Sequence, residues 1–201
     1  AALDALDAMQ AAALPQALDS IEAKAPVRLR KRAIELLSRT APAKAVPVLG
    51  TLLDNASVGE QQAAFAALGD LRDPAAAALL ASWLGKLAQD QVPAALHLDL
   101  LEAAAKHDTP ELKALLAART AAMAAQGPLG EYLACREGGD AEAGRRVFLD
   151  HEATRCTRCH TLDGQGGNAG PVLDGIGKKQ TRDYLLAALI TPSSQIAEGF
   201  G

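Results

Sequence analysis

Three residues within five positions could carry chemistry: Cys156 and Cys159 of Cys156-Thr157-Arg158-Cys159, with His160 directly after them. At i and i+3 on a helical turn, two thiols lie on one face. There each can add to a vinyl group of one haem, giving two thioether bonds, and the imidazole of His160 can reach the iron from the same side. The macrocycle dictates this spacing, and C-x-x-C-H is the usual attachment sequence for c-type haem. With only 3 Cys and 4 His in the chain, chance gives such a run on the order of once per thousand chains of this composition. Two other chemistries stay open on the residues alone. A dithiol redox pair sits at a helix start after a strand and demands no adjacent His. A structural zinc site needs a fourth ligand, with Cys135 the one spare thiol and His151 the nearest His.

The elements that must position these residues can be read from composition. Hydrophobic residues make up 49% of 201, charged residues 22% and aromatics 3%, so a packed core is expected rather than disorder. The 45 Ala favour helix and argue against a sandwich or barrel. Lys plus Arg less Asp plus Glu is 20 − 24 = −4, and without a basic cluster the chain is a poor nucleic-acid binder. No apolar run reaches the roughly 18 residues of a membrane span. The opening AALDALDAMQ has neither a positive n-region nor an apolar h-region, which reads as a mature, excised or cytosolic chain.

The composition changes along the chain. Residues 1–137 hold 38 of the 45 Ala, while residues 138–201 hold 11 of the 17 Gly and the Cys156–Cys159 pair. Gly127-Pro128 and Gly138-Gly139 punctuate the change, and Leu129 to Glu137 fits either side. In the first part RKRAIELLSRTAPAKAVPVLGTLL, EQQAAFAALGDLRDPAAAALLASWL and HLDLLEAAAKHDTPELKALLAA align. They set Leu37, Leu68 and Leu101 at equivalent positions, 31 and 33 residues apart. Pro42, Pro74 and Pro110 follow near the start of a second helix, with Asp73 and Thr109 as N-caps. Helix, turn, helix at this period is the mark of an α-solenoid; an ordinary Ala-rich bundle is the alternative. His97 and His107 read as surface or capping residues, and Trp83, Phe65, Met9 and Met123 as packing residues. The expected fold is all-α, with repeats over 1–137 followed by a small loop-rich module over 138–201.

The repeats resemble HEAT or armadillo repeats over roughly residues 15–125. The run GDAEAGRRVFLDHEATRCTRCHTLDGQGGNAGPVLDGIGKKQTRDYLLAALITPSSQIAEGF resembles a class I cytochrome c domain. More closely, it is similar to the haem-binding modules of Planctomycetes and Verrucomicrobia, which are often joined to helical repeats and a β-propeller dehydrogenase. The resemblance implies one haem c, attached through Cys156 and Cys159, with His160 as proximal ligand. It implies that the Pro171 carbonyl accepts the Nδ1–H of His160, within a loop Gly164-Gln165-Gly166-Gly167-Asn168-Ala169-Gly170-Pro171. Gly144 and Phe148 match the G-x-x-x-F of the first cytochrome helix, where Gly permits close crossing and Phe packs near the haem. Leu173 and Ile176 would wall the pocket, and Tyr184, Leu185, Leu186, Leu189 and Ile190 would form the following helix against it. The gap from Phe148 to Cys156 is longer than the minimal pattern, and no Met follows Met123. The expectation is that a C-terminal part carrying the distal ligand lies outside this chain; His151 is a less favoured sixth ligand.

These readings point to a one-electron transfer module, not an enzyme by itself and without catalytic residues. It would pass electrons from a redox partner protein or dehydrogenase domain, with the repeats as a docking surface for a protein. Haem-based ligand sensing or peroxidase-like chemistry at an open sixth position is the alternative, and a structural Cys/His metal-binding scaffold is another. Thioether attachment takes place outside the bacterial cytoplasm, so a periplasmic or extracytoplasmic location is expected. Cys135 is left as a free thiol.

Overall fold

A computed structural model describes residues 2–19, 25–194, 196–197 and 199–200. Helices dominate, and the chain divides into two compact units, Ala1–Ala121 and Ala122–Gly201.

The first unit opens with α1 (Ala2–Ala8) and α2 (Leu14–Asp19). Three helix pairs follow: α3 (Val27–Thr40) with α4 (Pro42–Asn55), α5 (Val58–Asp70) with α6 (Pro74–Ala88), and α7 (His97–Ala105) with α8 (Pro110–Ala124). Proline opens the second helix of each pair because its missing N–H has no intrahelical partner there. Caps fix the starts. Asp73 accepts from the Ala75 N–H at 2.8 Å, and Thr109 Oγ1 from the Leu112 N–H at 3.3 Å. Ser57 and Glu60 form a capping box at α5. Helices α3, α5 and α7 lie side by side, and α4 and α6 pack on them.

The core between them is built from fully buried Leu49, Leu53, Leu68, Leu80, Leu96, Leu100 and Leu112 around Phe65. Phe65 meets Trp83 edge to face, centroids 5.4 Å apart, an arrangement worth about 1 kcal/mol beyond its buried area. Glu60 is buried as well. Arg30 Nε donates to its Oε1 at 2.5 Å and Ser57 Oγ to its Oε2 at 2.5 Å. The Arg30 bond, reinforced by Ser57 and opposed by burial, holds this carboxyl down to about 2. His107 is buried, its Nε2 2.9 Å from the Leu68 carbonyl, and is not a surface residue. Met9, expected inside with Trp83, Phe65 and Met123, is 75% exposed.

The division between the units falls within α8, at 121/122, rather than at Gly138-Gly139. The second unit continues through a 3-10 turn, Gly130–Cys135, to α9 (Ala141–Asp150) and a 3-10 turn at Cys156–Arg158. A two-strand hairpin follows, β1 (Thr161–Leu162) and β2 (Gln165–Gly166), then α10 (Ile176–Lys179), α11 (Arg182–Ile190) and a turn at Pro192–Ser194. Asp140 caps α9, accepting from the Glu142 and Ala143 N–H groups. Thr181 caps α11 through the Tyr184 N–H at 3.1 Å. Leu129 to Glu137, which the sequence left open, lies in this unit. Its end is tied to α11: Arg136 donates to Asp183 at 2.8 Å, and Arg182 to Glu137 at 2.5 Å and to the Arg136 carbonyl at 2.9 Å.

Candidate functional site

The site grows from backbone geometry. The Cys156–Arg158 turn is closed by the His160 N–H donating to the Cys156 carbonyl at 3.0 Å, so the two thiol-bearing residues stand three apart on one turn. Neither Cys156 nor Cys159 is in a disulfide; Cys156 is half-buried and Cys159 exposed. After His160 the chain reverses at Asp163-Gly164, both with left-handed φ, 51° and 74°, which is the conformation Asp-Gly hairpin turns favour. That reversal folds the glycine-rich loop back onto the Cys–His segment.

Backbone donors of the loop then bond the carbonyls of the segment. The Gly167 N–H donates to Thr157 and the Gly170 N–H to Cys159, both at 2.8 Å; the Leu173 N–H donates to Thr161 at 2.9 Å. Thr161 Oγ1 returns a bond to the Gly167 carbonyl at 2.7 Å. Three positions of the loop tolerate no side chain. A Cβ at Gly166 would stand 2.1 Å from the His160 carbonyl oxygen, one at Gly167 2.1 Å from the Arg158 carbonyl oxygen, and one at Gly170 2.7 Å from Cε1 of the His160 ring.

The same loop brings His160 Nδ1 to 2.9 Å from the Pro171 carbonyl. A carbonyl only accepts, so Nδ1 carries the proton of the neutral ring and Nε2 keeps its lone pair. An imidazole held in this tautomer, beside two free thiols, is a donor set for a covalently held metal macrocycle. Residues 141–199 match the family model of cytochrome c. The match supports a c-type cytochrome domain over those residues, which implies covalently bound haem c. Neither curated proteins nor solved structures yield a match to the chain.

The residues present fit such a group. Between 138 and 200 no described residue is buried. Phe148, Leu173, Ile176, Tyr184 and Leu185 are half-buried, and Val147, Val172 and Leu189 are exposed. The matched segment thus carries apolar side chains that its own packing leaves partly in water, a surface that a large flat apolar group could cover. The helix and strand packed closely on the Cys–His turn are α9 and β2; α11, with Tyr184, Leu185, Leu186, Leu189 and Ile190, packs chiefly on the Pro192–Ser194 turn. Gly144 makes no close crossing here, since nothing lies within 4 Å of a Cβ placed on it. His151 is exposed, follows α9 as its C-cap and accepts at Nδ1 from the Thr154 N–H at 3.4 Å. Cys135 is exposed. Among the described residues no group of three or more His, Cys, Asp and Glu gathers around a common point, and no helix is long and apolar enough to cross a membrane. Sequence reasoning missed the clasp of Arg145, Asp163 and Asp174 described below, and the ion pairs on α11, because each joins residues distant along the chain.

Proposed function

We propose that residues 138–201 form a haem c electron-transfer domain, held through thioether bonds from Cys156 and Cys159 with His160 as axial ligand. The observation that carries this reading is the His160 Nδ1 to Pro171 carbonyl bond at 2.9 Å, one residue from a turn bearing two free thiols. Bound haem would supply a one-electron couple. The chain's own residues do the rest. Pro171 fixes the tautomer of His160, leaving Nε2 with its lone pair. The loop donors to Thr157 and Cys159 hold the turn still, so the thiols and the imidazole keep one relative geometry. Phe148, Leu173 and Ile176, with Tyr184 and Leu185, would exclude water from the ring faces, which together with the axial histidine sets the potential.

In this reading the domain relays single electrons from a redox partner protein or a dehydrogenase domain. The three helix pairs of the first unit, each second helix opening at proline, support a HEAT-like array that would dock a protein along its stacked face. Thioether attachment supports an extracytoplasmic location, as is typical of cytochrome c domains.

The test is the visible spectrum, oxidised and dithionite-reduced, of the chain produced with a periplasmic haem-maturation system. Sharp low-spin bands support electron transfer, and a high-spin spectrum would favour ligand-binding chemistry instead. Cys156→Ala together with Cys159→Ala is expected to abolish retention of haem through acid-acetone extraction. Retention by the double variant would overturn the attachment.

A further inference from the structure

Beyond the Cys–His turn, a three-residue clasp closes the loop that carries Pro171. Asp174 stands three residues after Pro171, and its Oδ1 accepts the backbone N–H of Asp163 at 2.7 Å. Asp163 is the first residue of the hairpin reversal, with φ of 51°, a conformation that Asp adopts more readily than most residues. Its own carboxylate accepts from Arg145 of α9 at 2.6 Å. One end of the loop is thereby pinned to the other, and the reversal is pinned to the helix beside the turn. Pro171 lies inside this closed ring of chain, between the Leu173 N–H bond to Thr161 and the Gly170 N–H bond to Cys159.

We infer that Asp174, through the Asp163 amide, is a positioning residue for His160: it sets where the Pro171 carbonyl stands and hence which ring nitrogen carries the proton. The inference rests on the reading of His160 as axial ligand for its purpose, but not for its test. An accepting carboxylate gives a stronger bond than a neutral oxygen, and it is aimed at a backbone group, so it fixes chain position directly. Both contacts are solvent-exposed, but the Arg145–Asp163 pair must also order a long side chain to form and is expected to contribute less. Without the Asp174 oxygen, the reversal at Asp163 loses an outer anchor, and only the Gly170 and Leu173 amide bonds on either side hold the Pro171 carbonyl against Nδ1. A weaker Nδ1–H bond makes the imidazole a poorer electron donor, which disfavours the ferric state of a bound haem and raises its potential.

The decisive measurement is nitrogen-15 NMR of the His160 ring in the full chain without haem, which reads the tautomer directly. Wild type is expected to hold the Nδ1–H form. Asp174→Ala is expected to move the ring toward the Nε2–H form, and Asp174→Asn, which keeps an accepting Oδ1, to restore it. In the haem-loaded chain, Asp174→Ala is expected to shift the oxidation equilibrium about tenfold toward the ferrous state, about 59 mV for one electron. An Asp174→Ala ring indistinguishable from wild type overturns the inference, and so does an Asn variant that shifts as far as Ala. Should Asp174→Ala lose the fold by circular dichroism, Asp174→Glu carries the same test. It displaces the oxygen by one methylene; a shifted tautomer supports the role and a wild-type ring removes it. Failure of the chain to take up haem would sink the cytochrome reading while leaving the tautomer result standing.

Discussion

Replacing Gly170 by Ala sets two effects of opposite sign against each other. Gly170 is not among the glycines with left-handed φ, so Ala fits the backbone, and restricting the unfolded chain would by itself stabilise by about 0.4–1 kcal/mol. The new methyl, however, would stand 2.7 Å from Cε1, 2.9 Å from Nδ1 and 3.2 Å from Nε2 of His160. Restoring an ordinary contact of about 3.5 Å requires a relative shift of about 0.8 Å between loop and ring. The 2.9 Å bond to Pro171 has no such slack, because N–H···O bonds weaken beyond about 3.2 Å. Overpacking costs about 1–3 kcal/mol and the lost bond about 1 kcal/mol, so sterics win by about 1–3 kcal/mol. The assay is amide exchange in the chain without haem, read at residues 167, 170 and 173, whose N–H groups bond Thr157, Cys159 and Thr161. Exchange there is expected to quicken about tenfold or more, since about 1.4 kcal/mol is one decade. Gly144 is the control: it lies within α9, away from left-handed φ and with nothing within 4 Å of an added Cβ. Gly144→Ala is expected to stabilise by about 0.5–1 kcal/mol. Gly170→Ala amides that exchange no faster than wild type would refute the claim that the loop is pressed against the histidine ring.

Acid should act on the first unit through Glu60, whose carboxyl is held down to about 2 against an ordinary 4.5. A depressed folded-state value means stability that is present above about pH 4.5 and lost as pH falls toward 2, at most about 3 kcal/mol. Urea unfolding followed at Trp83 should show that loss in wild type and a clearly smaller one in Glu60→Gln, where Asp4, Asp99 and Asp108 still titrate; equal acid dependence in both would show that Arg30 and Ser57 do not hold the charge. The two units should also differ in stability without haem. The first has a continuous buried core, whereas between 138 and 200 no described residue is buried, so the second is expected to unfold at lower denaturant, giving two steps that a single cooperative transition by circular dichroism and Trp83 fluorescence would contradict.

What the sequence carried was local chemistry and local punctuation. Cys156, Cys159 and His160 stand out by spacing alone as a candidate haem-attachment run, and Pro42, Pro74 and Pro110 mark helix starts because a missing N–H has no intrahelical partner there. Ser57 and Glu60 could be read as a capping box, three residues apart. That Glu60 also takes Arg30, thirty residues away, could not, since periodicity tells which face is apolar and not which neighbour will cover it. Met9 shows the same limit: its apolar side chain read as a packing residue, yet it is exposed. Gly144 shows the converse, a motif position whose small size meets no neighbour here. The clasp from Asp174 to Asp163 to Arg145 depends on a reversal that brings three segments together, and no window of sequence contains it.

The change in composition at 137/138 has a physical cause in how the site is built. A core of Leu and Ala side chains, as in the first unit, fixes helices by filling space between them. The Cys–His turn is fixed differently, by amides of the loop reaching the carbonyls of Thr157 and Cys159. Such amides reach a neighbouring backbone only where no Cβ intervenes, and at Gly167 and Gly170 a Cβ would collide with Arg158 and His160. Glycine is dense in this segment because backbone, not side chain, does the positioning. The consequence for His160 is direct: with the Nδ1 proton committed to the Pro171 carbonyl, Nε2 is the ring nitrogen left with a lone pair for a ligand bond. A loop that spent its residues on side-chain packing could not hold the histidine this closely and still leave apolar surface for a large ring to cover.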